Sequence, residues 1–103
     1  MKSCITCGMP FEGDHKNDIG MQLPEGPVCI FDCHNGALKS PEAIFEGGVQ
    51  YFAQAAADGD RDLATRLTRT NMKSLPYWQA HPLEMLKGAE ATPEEFALAM
   101  SKM

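Results

Sequence analysis

The four cysteines of this chain fall in two close pairs within its first third, Cys4-Ile5-Thr6-Cys7 and Cys29-Ile30-Phe31-Asp32-Cys33. The first pair runs into Gly8-Met9-Pro10 and the second into His34-Asn35-Gly36. The residues between the pairs are rich in Gly, Pro and Asp, and they hold neither helical nor strand periodicity for long. About forty residues with so few large apolar side chains cannot bury enough surface to fold unaided. Paired thiols supply what is missing. Two cysteines in a tight turn can aim both sulfurs at one ion, at about 2.3 Å each. Zinc-finger peptides gain an apparent ~10–16 kcal/mol from such binding at neutral pH.

The expected site is therefore one tetrahedral zinc ion held by Cys4, Cys7, Cys29 and Cys33. Two facing turns, each carried by a short β-hairpin, make a zinc ribbon over residues 1–39. Gly8 can take positive φ and let backbone N–H groups approach the thiolates. Asn35-Gly36 offers the same freedom after the second pair. That pair is wider than the first, with three residues between its sulfurs, so Asp32 or His34 can stand in for Cys33, since carboxylate and imidazole both bind zinc. Cys33 is placed first because sulfur is the softer ligand. Iron in a four-thiolate site is chemically open as well. Inert core cysteines would be scattered along the chain, and a thioredoxin-like pair would need a βαβ context that is missing here.

Composition narrows the classes. The chain has 103 residues, 44% of them hydrophobic and 22% charged, which suits a globular protein and argues against disorder. Its apolar runs fall well short of the ~18 residues that a membrane span needs. The start Met1-Lys2-Ser3-Cys4 has no apolar stretch of a secretory signal, so a cytoplasmic location with reduced thiols is expected. The net charge of −5 does not suit a general nucleic-acid coat.

Residues 40–103 read as helices, at about 41–57, 61–74, 82–87 and 93–102. Ser40-Pro41-Glu42 has an N-cap serine, proline at the first position and an acid near the positive end of the helix dipole. Phe45, Val49, Phe52 and Ala56 then recur on one face. Gly47-Gly48 offers close approach to another backbone, the ribbon being one candidate. Asp58-Gly59 ends this helix and Asp60 caps the next, which carries Leu63, Ala64, Leu67 and Asn71 on one side. Arg66, Arg69 and Lys73 line its other side. That stripe can face phosphate in a helix-turn-helix, or solvent on an ordinary helical hairpin. Tyr77-Trp78 reads as an aromatic anchor to the core, with a partner-binding hot spot as the sharper alternative. Thr92-Pro93-Glu94-Glu95 is a capping box opening a helix with Phe96, Met100 and Met103 on one face. Met85, Met100 and Met103 suit either core filling or adaptable partner contact.

Cys4-x-x-Cys7-Gly8-Met9-Pro10, the second pair with Asn35-Gly36, Glu46-Gly47-Gly48-Val49-x-x-Phe52 and Leu75-Pro76-Tyr77-Trp78 together resemble a small bacterial family of zinc-ribbon domain proteins. The likeness covers residues 1–80. It implies zinc binding without a known catalytic activity, and some members carry a transcription-regulator label. In that family the second pair has two intervening residues, where this chain has three before Cys33. The residues offer no Ser/His/Asp arrangement, no phosphate loop and no open His-rich metal site. An α+β protein is expected, with an N-terminal ribbon and a helical region packed around Phe45, Phe52, Leu67 and Trp78. Its expected role is a non-enzymatic, zinc-stabilised module that binds protein partners, set against a DNA-binding regulator and a thiol-based redox or metal sensor.

Overall fold

The computed structural model describes residues 2–102; Met103 lies outside them. The fold is α+β, two small antiparallel hairpins followed by four helices. Strand β1 (Ile19–Leu23) pairs with β2 (Gly26–Cys29), with a register irregularity between Ile19 and Met21. Strand β3 (Cys33–His34) pairs with β4 (Ala37–Leu38) through the two-residue turn Asn35-Gly36. Both turn residues have positive φ, 52° and 76°, the mirror-image turn that matches strand twist and that Asn-Gly adopts most readily. Ahead of β1, residues 3–10 fold back on themselves, with Cys4 N–H donating to the Met9 carbonyl and Phe11 N–H to that of Lys2.

The helices form where their caps place them. Helix α1 (Pro41–Ala55) opens with the Ser40 hydroxyl accepting from Ala43 N–H, and α2 (Arg61–Lys73) with the Asp60 carboxylate accepting from Leu63 N–H. Each such cap stabilises its helix by about 1 kcal/mol. Asp58 and Gly59, both at positive φ, turn the chain between them. Pro76 stops α2 and starts a further short helix, α3 (Pro76–Ala80), on a stretch expected to be a connection. Between residues 82 and 87, where a short helix is expected, the chain makes a single 3-10 turn, Glu84–Leu86, with extended backbone on both sides. Helix α4 (Pro93–Ser101) opens with the complete Thr92/Glu95 capping box.

Two buried clusters divide the helical region. One is built from Val49, Phe52, Ala53, Ala56, Ala64, Leu67 and Ala99, where α1, α2 and α4 meet. The other joins Ile44, Met72, Trp78 and Leu86. Phe45 packs against both, so the four residues expected at the centre serve two adjoining cores. A third cluster, Cys4, Val28 and Cys29, fills the ribbon, and Leu38 bridges it to the Trp78 cluster.

The Gly47-Gly48 pair serves the helical hairpin, not the ribbon. A Cβ on Gly48 would sit 2.9 Å from the Thr68 methyl of α2, while one on Gly47 would meet nothing within 4 Å. Gly48→Ala should therefore destabilise the protein by roughly 1–3 kcal/mol through overpacking. Gly47→Ala should stabilise it by up to about 1 kcal/mol through helix propensity. Urea unfolding of the two variants checks this pair of opposite signs.

Candidate metal centre

Cys4 and Cys7 stand three positions apart around the tight turn Ile5-Thr6-Cys7. Gly8, at φ 83°, closes that turn by donating its N–H to the Cys4 carbonyl at 2.8 Å. The second half of the site is built the same way. Cys29 precedes the 3-10 turn Ile30–Asp32, and such a turn has three residues per revolution, so positions i and i+3 fall one above the other. Cys29 and Asp32 therefore point the same way, while Cys33 begins an extended strand and packs at the edge of the Cys4–Cys29 cluster.

The result is a group of four side chains, Cys4, Cys7, Cys29 and Asp32, whose ligand atoms all lie within 4.8 Å of one another. Cys4, Cys29 and Asp32 are buried and Cys7 half-buried. Cys7 Sγ lies 3.7 Å from Cys29 Sγ, and Cys4 Sγ lies 3.6 Å from Asp32 Oδ2. These separations match the edges of a metal tetrahedron. Sulfurs at about 2.3 Å from an ion are about 3.8 Å apart, and a sulfur and a carboxylate oxygen at about 2.0–2.2 Å are about 3.5–3.7 Å apart. The set can hold a metal ion, and its spacing suits a small tetrahedral one.

Three of the four expected ligands are thus brought together, and Asp32 takes the place beside them that Cys33 was expected to fill. Cys33 is half-buried, and its sulfur lies against β1, 3.1 Å from where a Cβ on Gly20 would stand. His34 is exposed on β3. His15 is exposed too, with Nδ1 2.8 Å from Asp18 and its ring edge on Phe31. The signal for Asp32 is in the spacing, since Cys29-x-x-Asp32 repeats Cys4-x-x-Cys7.

Thr6 is the functional residue that the motif hides. It is fully buried, and its hydroxyl donates to Asp32 Oδ2 and lies 3.1 Å from Cys4 Sγ. The Cys29 backbone N–H donates to Cys4 Sγ at 3.3 Å, whereas the Gly8 N–H serves the turn instead. Three thiols and a carboxyl cannot all ionise in one buried place. Hydrogen bonds from Cys29 and Cys7 hold the Cys4 thiol far below its ordinary value, against the opposing effect of burial. Bonds with Cys29 and Cys4, with burial, push the Cys7 thiol up; the bond with Cys4, with burial, pushes the Cys29 thiol up to about 12 against an opposing bond with Cys7. Burial raises the Asp32 carboxyl, against the opposing Thr6 hydroxyl. An ion entering this set takes the place of the protons the groups share.

The basic stripe of α2 is committed within the fold. Arg66 pairs with Asp62 at 3.1 Å and with Glu95 at 2.6 Å, and Lys73 pairs with Glu90 at 2.7 Å. Arg69 donates to the carbonyls of Met85 and Ala89. Among the described residues no helix is long and apolar enough to cross a membrane. No family model, curated protein or solved structure matches this chain.

Replacing Cys33 by serine should leave metal uptake intact, because its sulfur lies outside the group of four. Asp32→Ala should weaken binding by at least about tenfold, the loss expected even for groups that only support a ligand. Competition of each variant against a calibrated chelator measures both, and the reverse order of effects would put Cys33 at the ion.

Proposed function

We propose that the chain is a non-enzymatic protein-interaction module whose Cys4, Cys7, Cys29 and Asp32 hold one structural zinc ion. The observation that carries this reading is the buried set of four donors with edges of 3.6 and 3.7 Å. Zinc has no geometric preference of its own and accepts thiolate and carboxylate in one tetrahedron. Iron–sulfur sites are held by thiolates, or by thiolates with histidine in Rieske centres, whereas zinc takes carboxylate oxygen beside sulfur, so a carboxylate corner favours zinc. Four protein donors leave no open position for a water or substrate, which fits a structural ion and not a hydrolytic one. The resemblance of the Cys4–Pro10 element to zinc-ribbon proteins points the same way.

The interaction part of the reading rests on what the metal-held turn displays. Ile30 and Phe31, the two residues between Cys29 and Asp32, are 46% and 56% exposed, and Ile19 nearby is 42% exposed. Large apolar side chains presented together on a rigid turn suit contact with another protein. Trp78, by contrast, is buried and serves the core. Of the tail methionines, Met85 packs on the Trp78 cluster and Met100 is exposed. The DNA-binding alternative draws no support from Arg66, Arg69 and Lys73, because phosphate would have to displace the Asp62, Glu95 and Glu90 carboxylates and two backbone carbonyls.

Native mass spectrometry with elemental analysis should find one zinc per chain. The double variant Ile30→Ser/Phe31→Ser should keep that zinc and lose the protein that the wild type retains on affinity capture. Salt-sensitive DNA binding that Arg66→Ala and Arg69→Ala weaken would replace this reading with the regulator one.

A further inference from the structure

The Thr6-Cys7 segment has two sides. On one side it meets the metal set, through the Cys7 sulfur and through the Thr6 hydroxyl on Asp32 and Cys4. On the other its two consecutive backbone carbonyls are both taken by the helical region. The Trp78 indole N–H of α3 donates to the Thr6 carbonyl at 2.9 Å, and the Asn71 side-chain amide of α2 donates to the Cys7 carbonyl at 2.9 Å. Both donors come from more than sixty residues away in the chain. Gly8 completes the contact, since a Cβ there would stand 3.5 Å from Asn71 Oδ1.

We propose that Asn71 and Trp78 are positioning residues of the metal site, and that metal occupancy is in turn reported to the Trp78 cluster. This deepens the zinc reading above and rests on it. The ion fixes the Ile5-Thr6-Cys7 turn, because Cys7 is a ligand and Thr6 braces two others. The fixed turn presents two carbonyls at the spacing the two helical donors require. Without the ion only shared protons hold the four acidic groups together, a weaker tie than four metal bonds, so the turn loosens and the indole N–H loses its fixed buried acceptor. An unpaired buried N–H is unfavourable, so Trp78 leaves its place and loosens its contacts with Ile44, Met72 and Leu86. The second helical cluster, around Val49, Phe52 and Leu67, makes no use of these carbonyls and keeps its packing. By linkage, a contact that the ion strengthens must strengthen the ion's binding by the same factor.

Trp78 is the sole tryptophan, so its fluorescence reports this joint directly. Zinc is titrated into the metal-free full-length chain and withdrawn with a chelator, with native mass spectrometry counting the ion. Trp78 emission should shift to the blue in step with one zinc bound and return on chelation, while the far-UV helix signal persists. Asn71→Ala and Trp78→Phe should each lower zinc affinity about tenfold, the range known for residues that orient ligands. Trp78 emission that stays fixed while zinc comes and goes overturns the proposal, as does helix signal that collapses with the metal. Wild-type affinity in both variants overturns it too. A chain that takes up no zinc at all overturns the zinc reading and this proposal together, whereas a zinc-loaded chain with an unmoved Trp78 overturns this proposal alone.

Discussion

Three thiols and a carboxyl converge on one buried point, and the rest of the ribbon answers to that constraint. Negative charges crowded together repel one another, so these groups resist ionising together and the set is balanced either by shared protons or by a cation. Hydrogen bonds within the set, chiefly with Cys29 and Cys7, lower the Cys4 thiol, and the Cys29 N–H donates to its sulfur. The buried centre of the ribbon cluster is small, Cys4, Val28 and Cys29, with side chains such as Ile5, Phe11 and Leu23 only partly buried against it. The ribbon's shape is therefore set by what neutralises its donors, more than by any apolar core.

The helical region was largely legible because its determinants are local. Ser40, Asp60 and Thr92 cap helices within four residues of themselves, and the Phe45–Ala56 stripe repeats at helical spacing. The basic stripe was legible as a pattern but not as chemistry. Its partners Glu90 and Glu95 arrive from beyond residue 88, brought back across α2 by the turn at Glu84–Leu86 and the α4 cap. Spacing along a helix says which cations share a face, and tertiary structure decides whether that face is free.

The fourth corner of the metal set shows a different limit. Cys33 outranks Asp32 on ligand softness, a property of the atom, whereas which donor joins the group of four follows the phase of a single 3-10 turn. Whether the chain leaves Cys29 in a 3-10 turn or directly as a strand moves every later side chain around the axis. Ile30 N–H donating to the Asp18 carbonyl, and Lys39 N–H to that of Asp32, hold the turn in the phase that brings Asp32 inward. Those bonds join residues 7 to 12 apart in the chain, too far for a motif to display.

An aspartate at this corner also explains why Thr6 is a threonine. A thiolate binds an ion through one atom and needs little support, but a carboxylate has two oxygens and must be turned so that one faces the metal. The Thr6 hydroxyl fixes that orientation from a fully buried position, and its own carbonyl is fixed by Trp78. A second-half turn that ends in a carboxylate thus depends on the first-half turn for its geometry, and the first-half turn depends on α3. The route runs from the ligand through one residue into the helical core. Through Trp78 on the Thr6 carbonyl and Asn71 on the Cys7 carbonyl, the segment that carries one of the four donors and braces two others also joins the ribbon to the helical region.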